Sequence, residues 1–276
     1  MKRLNPPEGT IAHDWLGARE PYLDDPMVID CGPFALGFYG GNTRSGANKN
    51  EDAAYVLADS AGHWEFAMVV DAHFSAESAD LLIDLVTQEA DSVRQRRDDA
   101  PFERMFRQLE DHIVSVFSSP EAMSRAMEVE GEASCLLCAR NDRFLWWMNV
   151  GDCQAYLFYP EFAARGQFAL NQRSYFEWIG FRNAFANAVP CYASGVRELL
   201  PGQNVICLAT DGVFEGDREP LVPAPQLYQA YMADFEPSAR TLAARTSIVL
   251  NRIHQLQGRD SATIIVWSYT ETGPGV

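Results

Sequence analysis

The sequence predicts an α+β layered domain, antiparallel sheets with helices packed outside them, and three observations point there. Short apolar runs of strand length recur along most of the chain. Helical periodicity is confined to a few longer stretches. Strands follow strands, then helices come in pairs, without the strict βαβ alternation of a parallel sheet.

The first 30 residues carry no clear pattern and are expected to form a loose N-terminal arm, with one domain over 31–276. PFALGFYGG (33–41) and AAYVLAD (53–59) read as strands flanking a polar loop rich in Asn, Gly and Ser. EFAMVVDA (65–72) is a continuous apolar run, as a strand buried on both faces requires. Ser75 is placed to cap the next helix, with Glu77 in its first turn and Leu81, Leu82, Leu85 and Val86 on its apolar side. Phe102, Met105, Phe106, Leu109, Ile113 and Val116 recur at helical spacing over 102–117.

Strands are expected at 134–140, 144–150 and 155–159, then an irregular, aromatic-rich lobe over 160–196. Its Tyr175, Phe176, Trp178, Phe181 and Phe185 suit either packing of the lobe or a recognition surface. NVICLAT (204–210) is another buried strand. A long helix over 237–256 opens at Pro237, stops near Gly258, and lines up Leu242, Val249, Leu250, Ile253 and Leu256. SATIIVWSY (261–269) closes the fold as a last strand.

Composition narrows the function. The chain is 47% hydrophobic and 22% charged, ordinary for a folded protein. No apolar run approaches the length of a membrane span, and the basic start MKRLNPPEGT is not followed by the apolar stretch of a signal peptide, so a cytoplasmic protein is expected. A net charge of −16 argues against nucleic-acid binding, which needs a basic surface. Cys135 and Cys138 have CxxC spacing, but residues three apart on a strand point to opposite faces, so buried reduced thiols are expected rather than a zinc site.

Aspartates at the tips of buried strands carry the chemistry. Asp71 ends MVVD, Asp211 follows VICLAT, Asp260 precedes SATIIVW, and Asp152 follows WWMNVG. Each alone could be a turn former. Together they suggest acids meeting at one edge of two sheets, where repulsion is relieved by a divalent cation. An all-oxygen donor set favours Mg²⁺ or Mn²⁺.

The strings NEDA (50–53), VVDAH (69–73), GEAS (131–134), NVGDCQAYLF (149–158), LATDGVFEG (208–216) and RDSATIIVW (259–267) resemble, in order and spacing, the motif series of PP2C-type serine/threonine phosphatases. That family usually reads N-Q/E-D, V-x-D-G-H-G-G, G-S-T-A, V-G-D-S-R, S-D-G-L/V-x-D and D-N-x-T-x-x-V. The resemblance implies a four-layer α-β-β-α sandwich and hydrolysis of a phosphomonoester by a water activated between two Mg²⁺ or Mn²⁺ ions. Asp71 would bridge the ions, with the Ala72 carbonyl on one of them and Asp211 and Asp260 completing the other. Glu51 and Asp52 would hold metal-bound waters or ligate directly. Asp152 would serve a third ion, and His73 would protonate the leaving alkoxide.

The sequence departs from the family at several positions. DGHGG is Asp71-Ala72-His73-Phe74-Ser75, and the phosphate-binding arginine expected five residues before Asp52 is Ala47. Arg44 is the tentative substitute, with Arg173 and Arg182 as alternatives. Gly41 to Gly46 has P-loop spacing but lacks the following Lys-Ser/Thr, and His13, His63, His112 and His254 show no ligand spacing. The expected protein is a monomeric phosphatase acting on phosphoserine or phosphothreonine in proteins. A weakly catalytic module that binds a phosphorylated partner, or a small-molecule phosphatase, are the alternatives.

Overall fold

In the computed structural model, which describes residues 9–95, 102–216, 220–233 and 238–271, two blocks of strands are separated by a block of helices, and two further helices precede the last strand. The N-terminal part forms β1 (Thr10–Leu16), β2 (Met27–Cys31), β3 (Phe34–Tyr39), β4 (Ala53–Asp59) and β5 (Trp64–His73). Helices α1 (Glu77–Gln88), α2 (Ala90–Gln95), α3 (Phe102–Phe117) and α4 (Pro120–Ala126) follow. Then come β6 (Glu132–Asn141), β7 (Phe144–Val150), β8 (Gln154–Phe158), the short α5 (Pro160–Ala163), β9 (Ile179–Gly180), β10 (Ala193–Glu198) and β11 (Gly202–Ala209). The chain ends with α6 (Ala224–Met232), α7 (Ala239–Gln255) and β12 (Ala262–Glu271).

The strands form two antiparallel sheets. One runs β1-β4-β5-β6-β7-β10, with β9 added to β6, and the other runs β2-β3-β12-β11-β8. Alternation along β5 shows how the layers form. Phe66, Met68 and Val70 pack outward against Leu82, Val86, Phe106 and Ile113 of the helices. Ala67 and Val69 pack inward with Leu36, Ile206, Leu208 and Trp267 of the second sheet. On the far side, Val205, Cys207, Ile264 and Val266 meet Leu227, Leu242, Leu250 and Ile253 of α6 and α7. Three cores separate four layers, so the expected α-β-β-α sandwich is observed. A strand buried on both faces cannot alternate with polar residues, which is why these segments read as continuous apolar runs.

Of the loose arm expected for residues 1–30, residues 1–8 lie outside the described residues, and the rest is corrected by two strands, β1 and the start of β2. β1 pairs along its whole length with β4, and β2 pairs with β3, one strand for each sheet. Trp15 is buried and stacks on Phe38 with centroids 4.0 Å apart. As edge strands with mixed, half-buried sequences, they lack the apolar signal of the central ones.

Smaller expectations shift too. Helix α1 starts at Glu77, and its N-cap position is Ala76, without a side-chain cap. Ser75 still accepts a hydrogen bond from Glu77 N at 3.2 Å, one turn position earlier than expected. Pro237 lies outside the described residues; Ser238 caps α7. Leu256 is the C-cap of that helix, beyond its buried face, and is 38% exposed. Cys135 lies in the outer core and Cys138 between the sheets, on opposite faces as strand geometry requires. Among the described residues no helix is long and apolar enough to cross a membrane.

Candidate metal centre

Antiparallel pairing gathers the acids. Asp52 immediately precedes β4 and Asp71 lies near the end of β5, and these strands pair with Ala53 opposite Val70. Asp211 follows β11 and Asp260 precedes β12, which pair with Ala209 opposite Ile264. The start of one strand thus lies beside the end of its neighbour, and the four acids share one end of the two sheets. Asp152 joins them from the turn that carries the chain from β7 to β8. Ser134, which faces Asp71 across β5 and β6, donates from Oγ to Asp152 Oδ1 at 2.6 Å.

Asp52 ties the sheets together. Only 1% exposed, its Oδ2 accepts hydrogen bonds from Thr210 Oγ1 (2.9 Å) and Thr263 Oγ1 (2.7 Å), both of the second sheet's edge. Asn50 holds the loop before it, accepting from Asp52 N and donating to Pro21 O. Burial pushes the Asp52 carboxyl well above the usual carboxylate range, and Asp260 and Asp211 add repulsion that the threonine hydroxyls partly offset. Asp71 is raised well above that range by burial and then by Asp211, Asp52, Asp260 and Asp152. Asp211 rises to about 7, through burial first and then Asp260, Asp152 and Glu215. Asp260 is more open, and its Oδ1 accepts from Ser261 N.

The groups around this cluster are also positioned. His73 closes β5, with Nδ1 3.9 Å from Asp71 Oδ1 and a side chain 41% exposed. Ala72 lies in extended backbone within β5. The left-handed conformation falls instead on Phe74, at φ 73°, a position that favours glycine and here carries an exposed aromatic ring. Gly131 lies under His73: its φ is +90°, and a Cβ there would come 2.1 Å from the His73 carbonyl oxygen. Lys49 bridges Glu51 Oε2 (2.7 Å) and the Phe74 carbonyl (2.9 Å), linking the loop before β4 to the end of β5.

The arginines divide. Arg173 donates from Nε to the Asp152 carbonyl (2.8 Å), stands 2.6 Å from Glu215, and covers the Phe214 ring. Arg182 is exposed and 3.7 Å from Glu132. Arg44 sits on a 3-10 turn capped by Asn42, and its neighbours Ser45, Gly46 and Ala47, rather than Arg44 itself, line the cavity beside the acids. That cavity, about 1090 Å³, is also lined by Lys49, Glu51, Glu215, Arg259 and Asp260. Of the lobe aromatics, Phe185 is buried in the outer core, whereas Tyr175, Phe176 and Phe181 are exposed.

Sequence reasoning missed Thr210, Thr263, Ser134, Lys49 and Arg259. The two threonines sit within the LATDG and RDSAT strings, and a hydroxyl at the polar end of a buried apolar run was their only signal. Lys49 and Arg259 lie beside motif residues, but a surface lysine or arginine near an acid is too common in sequence to be a signal.

The donor set suits a hard divalent cation. Asp71 Oδ2 and Glu51 Oε1 are buried carboxylate oxygens with no hydrogen-bond partner, and a buried anionic oxygen is costly without a cation or a donor. Among the described residues, no three His, Cys, Asp or Glu side chains are gathered tightly enough to enclose one ion. The acids therefore share an edge and a field without closing on a single point.

No protein-family model matches the sequence, and no curated protein matches it. Solved structures do match. A bacterial serine phosphatase superposes with a TM-score of 0.60 at 12% identity, over 88% of this chain and 99% of that one. A serine/threonine phosphatase from S. agalactiae gives 0.59 at 13% identity, over 90% and 99%. PppA from Pseudomonas aeruginosa, described as a key regulatory component of T6SS, gives 0.56 at 16%, over 86% and 97%. The chain thus has the fold of bacterial serine/threonine phosphatases, the sandwich that its PP2C-like motif series led us to expect.

Proposed function

We propose that this chain is a metal-dependent phosphomonoesterase that removes phosphate from phosphoserine or phosphothreonine in proteins. The observation that carries the proposal is the convergence of Asp52, Asp71, Asp211 and Asp260 on one sheet edge, with buried oxygens of Asp71 and Glu51 left without partners. Asp71, the Ala72 carbonyl, Asp211 and Asp260 would hold two Mg²⁺ or Mn²⁺ ions, with Glu51 and Asp52 behind them and Asp152 available to a third. When bound, such ions supply a nucleophilic water at neutral pH and offset charge on the phosphoryl oxygens.

The chain's own groups do the rest. Asp52, locked by two threonine hydroxyls, fixes the spacing of the two sheets and so of the acids they carry. His73, open to solvent beside Asp71, delivers a proton to the leaving alkoxide. Lys49 holds the Phe74 carbonyl and keeps the segment after His73 in place. Serine/threonine phosphatases with the same fold support a protein substrate, which a cytoplasmic monomer would meet.

The test is hydrolysis of a phosphothreonine peptide and of an aryl phosphate, with Mn²⁺, with chelator, and for Asp211→Asn. Metal-dependent turnover of the peptide, lost in the variant, is the expected result; no turnover of either substrate overturns the proposal. Ala47 and the open arrangement of the acids favour a second reading, a module that binds phosphoproteins with little turnover. Peptide binding without hydrolysis under the same conditions selects it.

A further inference from the structure

The cavity beside the acids has walls of both signs. Glu51, Glu215 and Asp260 would repel a phosphate, so its cations decide whether an anion can enter. Lys49 is taken up by Glu51 and the Phe74 carbonyl. Arg173, at the rim through Glu215, is taken up by that acid and by Asp152. Arg259 lines the same cavity, is exposed, and has no hydrogen bond or ion pair from its guanidinium among the described residues.

Its backbone is nonetheless held firmly. Asn42 N donates to Gly258 O (2.8 Å), and Ser45 Oγ donates to Gln257 O (2.9 Å), clamping the turn before β12 to the 42–46 loop. The Arg259 carbonyl packs so closely on Gly41 that a Cβ there would come 2.0 Å from it, and the same Cβ would come 2.8 Å from the Ala47 methyl. Arg259 and Ala47 are therefore neighbours on one glycine. Along the wall, Arg259 Nε lies 3.7 Å from where a Gly46 Cβ would be. Ala47, Arg259 and Asp260 all line this cavity, and the residue at 47 adds no charge to it.

We infer that Arg259 grips the phosphate of the substrate and holds it in the cavity beside the acids. This deepens the proposed phosphatase reading and rests on it only for the identity of the anion. A guanidinium is always charged and offers a planar fork that matches two phosphoryl oxygens. A firmly held backbone leaves only the side chain to be ordered on binding, and a head group with no partner among the described residues has no ion pair to break first. The cavity, about 1090 Å³, is larger than one phosphorylated side chain fills.

The experiment separates binding from turnover. Affinity for a phosphothreonine peptide and its unphosphorylated counterpart is measured by fluorescence polarisation, on the full chain with Mn²⁺ and on Asp211→Asn. The variants are Arg259→Ala, Arg259→Lys and, as a charge-matched control, Arg252→Ala on an exposed part of α7. Arg259→Ala should weaken phosphopeptide binding about tenfold or more and raise KM accordingly, with kcat changed less than about threefold. Arg259→Lys should recover part of the loss, and Arg252→Ala should leave affinity and KM within about twofold of the parent. Melting temperatures check that each variant folds. Affinity and KM of Arg259→Ala within twofold of the parent overturn the inference while leaving the phosphatase reading intact. Arg259-dependent binding without turnover in the parent keeps the inference and removes the catalytic reading. A loss in Arg252→Ala equal to that in Arg259→Ala also overturns it, by reducing the effect to general charge.

Discussion

Strands β5 and β6 carry a buried acid at each end of the face they turn toward the second sheet, and the two ends treat it differently. At one end Glu65 faces Arg140 across the pair, and the guanidinium meets both carboxylate oxygens. Arg140 also donates to the carbonyls of Gly62 and Asp142 and lies over the Tyr269 ring, so the buried charges are answered by the chain itself. At the other end, six residues on, Asp71 faces Ser134, which is occupied with Asp152, and the nearest charges are further acids. Between them lie only Ala67 and Val69, Leu136 and Cys138. One end is built to be stable by itself; the other is built to receive charge from outside.

The largest effect should come from the acid end. Asp211→Asn is expected to lower metal-dependent phosphatase turnover about a hundred- to a thousand-fold, measured as kcat with Mn²⁺, because a positioned charge is lost where charge develops. Substitutions at the paired end act on stability instead. Glu65→Ala or Arg140→Ala should each cost about 3–5 kcal/mol, by leaving one buried charge alone, whereas Glu65→Leu with Arg140→Met should be nearly neutral in denaturant unfolding. Equal losses for the single and double variants would erase the contrast.

The pH dependence sharpens it further. The Asp211 carboxyl is raised from 3.8 to about 7 in the fold, so the folded chain keeps a proton that the unfolded chain releases. Stability is therefore lost as pH rises from about 4 to about 7 and levels off above that. With chelator present, Asp211→Asn should melt higher than the parent, by a margin that widens from about pH 5 to about pH 8. Added Mn²⁺ should narrow it by stabilising the parent. The smallest effect is expected for Thr263→Val, which removes one hydroxyl from Asp52 and should cost about 1–3 kcal/mol while leaving the paired end untouched.

Legibility in the sequence follows burial. Strands expected at 53–59 and 144–150 match β4 and β7 at both ends, because strands covered on both faces are apolar throughout and turns bound them sharply. The edge strand β1, with His13 and Asp14 in its middle, gave no such signal and was taken for an arm. The acids were found because a carboxylate at the tip of an apolar run is conspicuous. Glu65 was not, although it is equally buried, since a single acid at a strand's start resembles any turn residue.

What the sequence by itself determined is the set of elements and the acids placed at their ends, because burial periodicity and strand tips are local properties. Only the tertiary structure decided what those acids meet. Thr210 and Thr263 reach Asp52 across more than a hundred residues of chain. Arg140 answers Glu65 from 75 residues away, and Arg259 comes to lie beside Ala47 through Gly41. Charge acts through space, and its sign and distance at a site are set by sheet register and packing rather than by spacing along the chain.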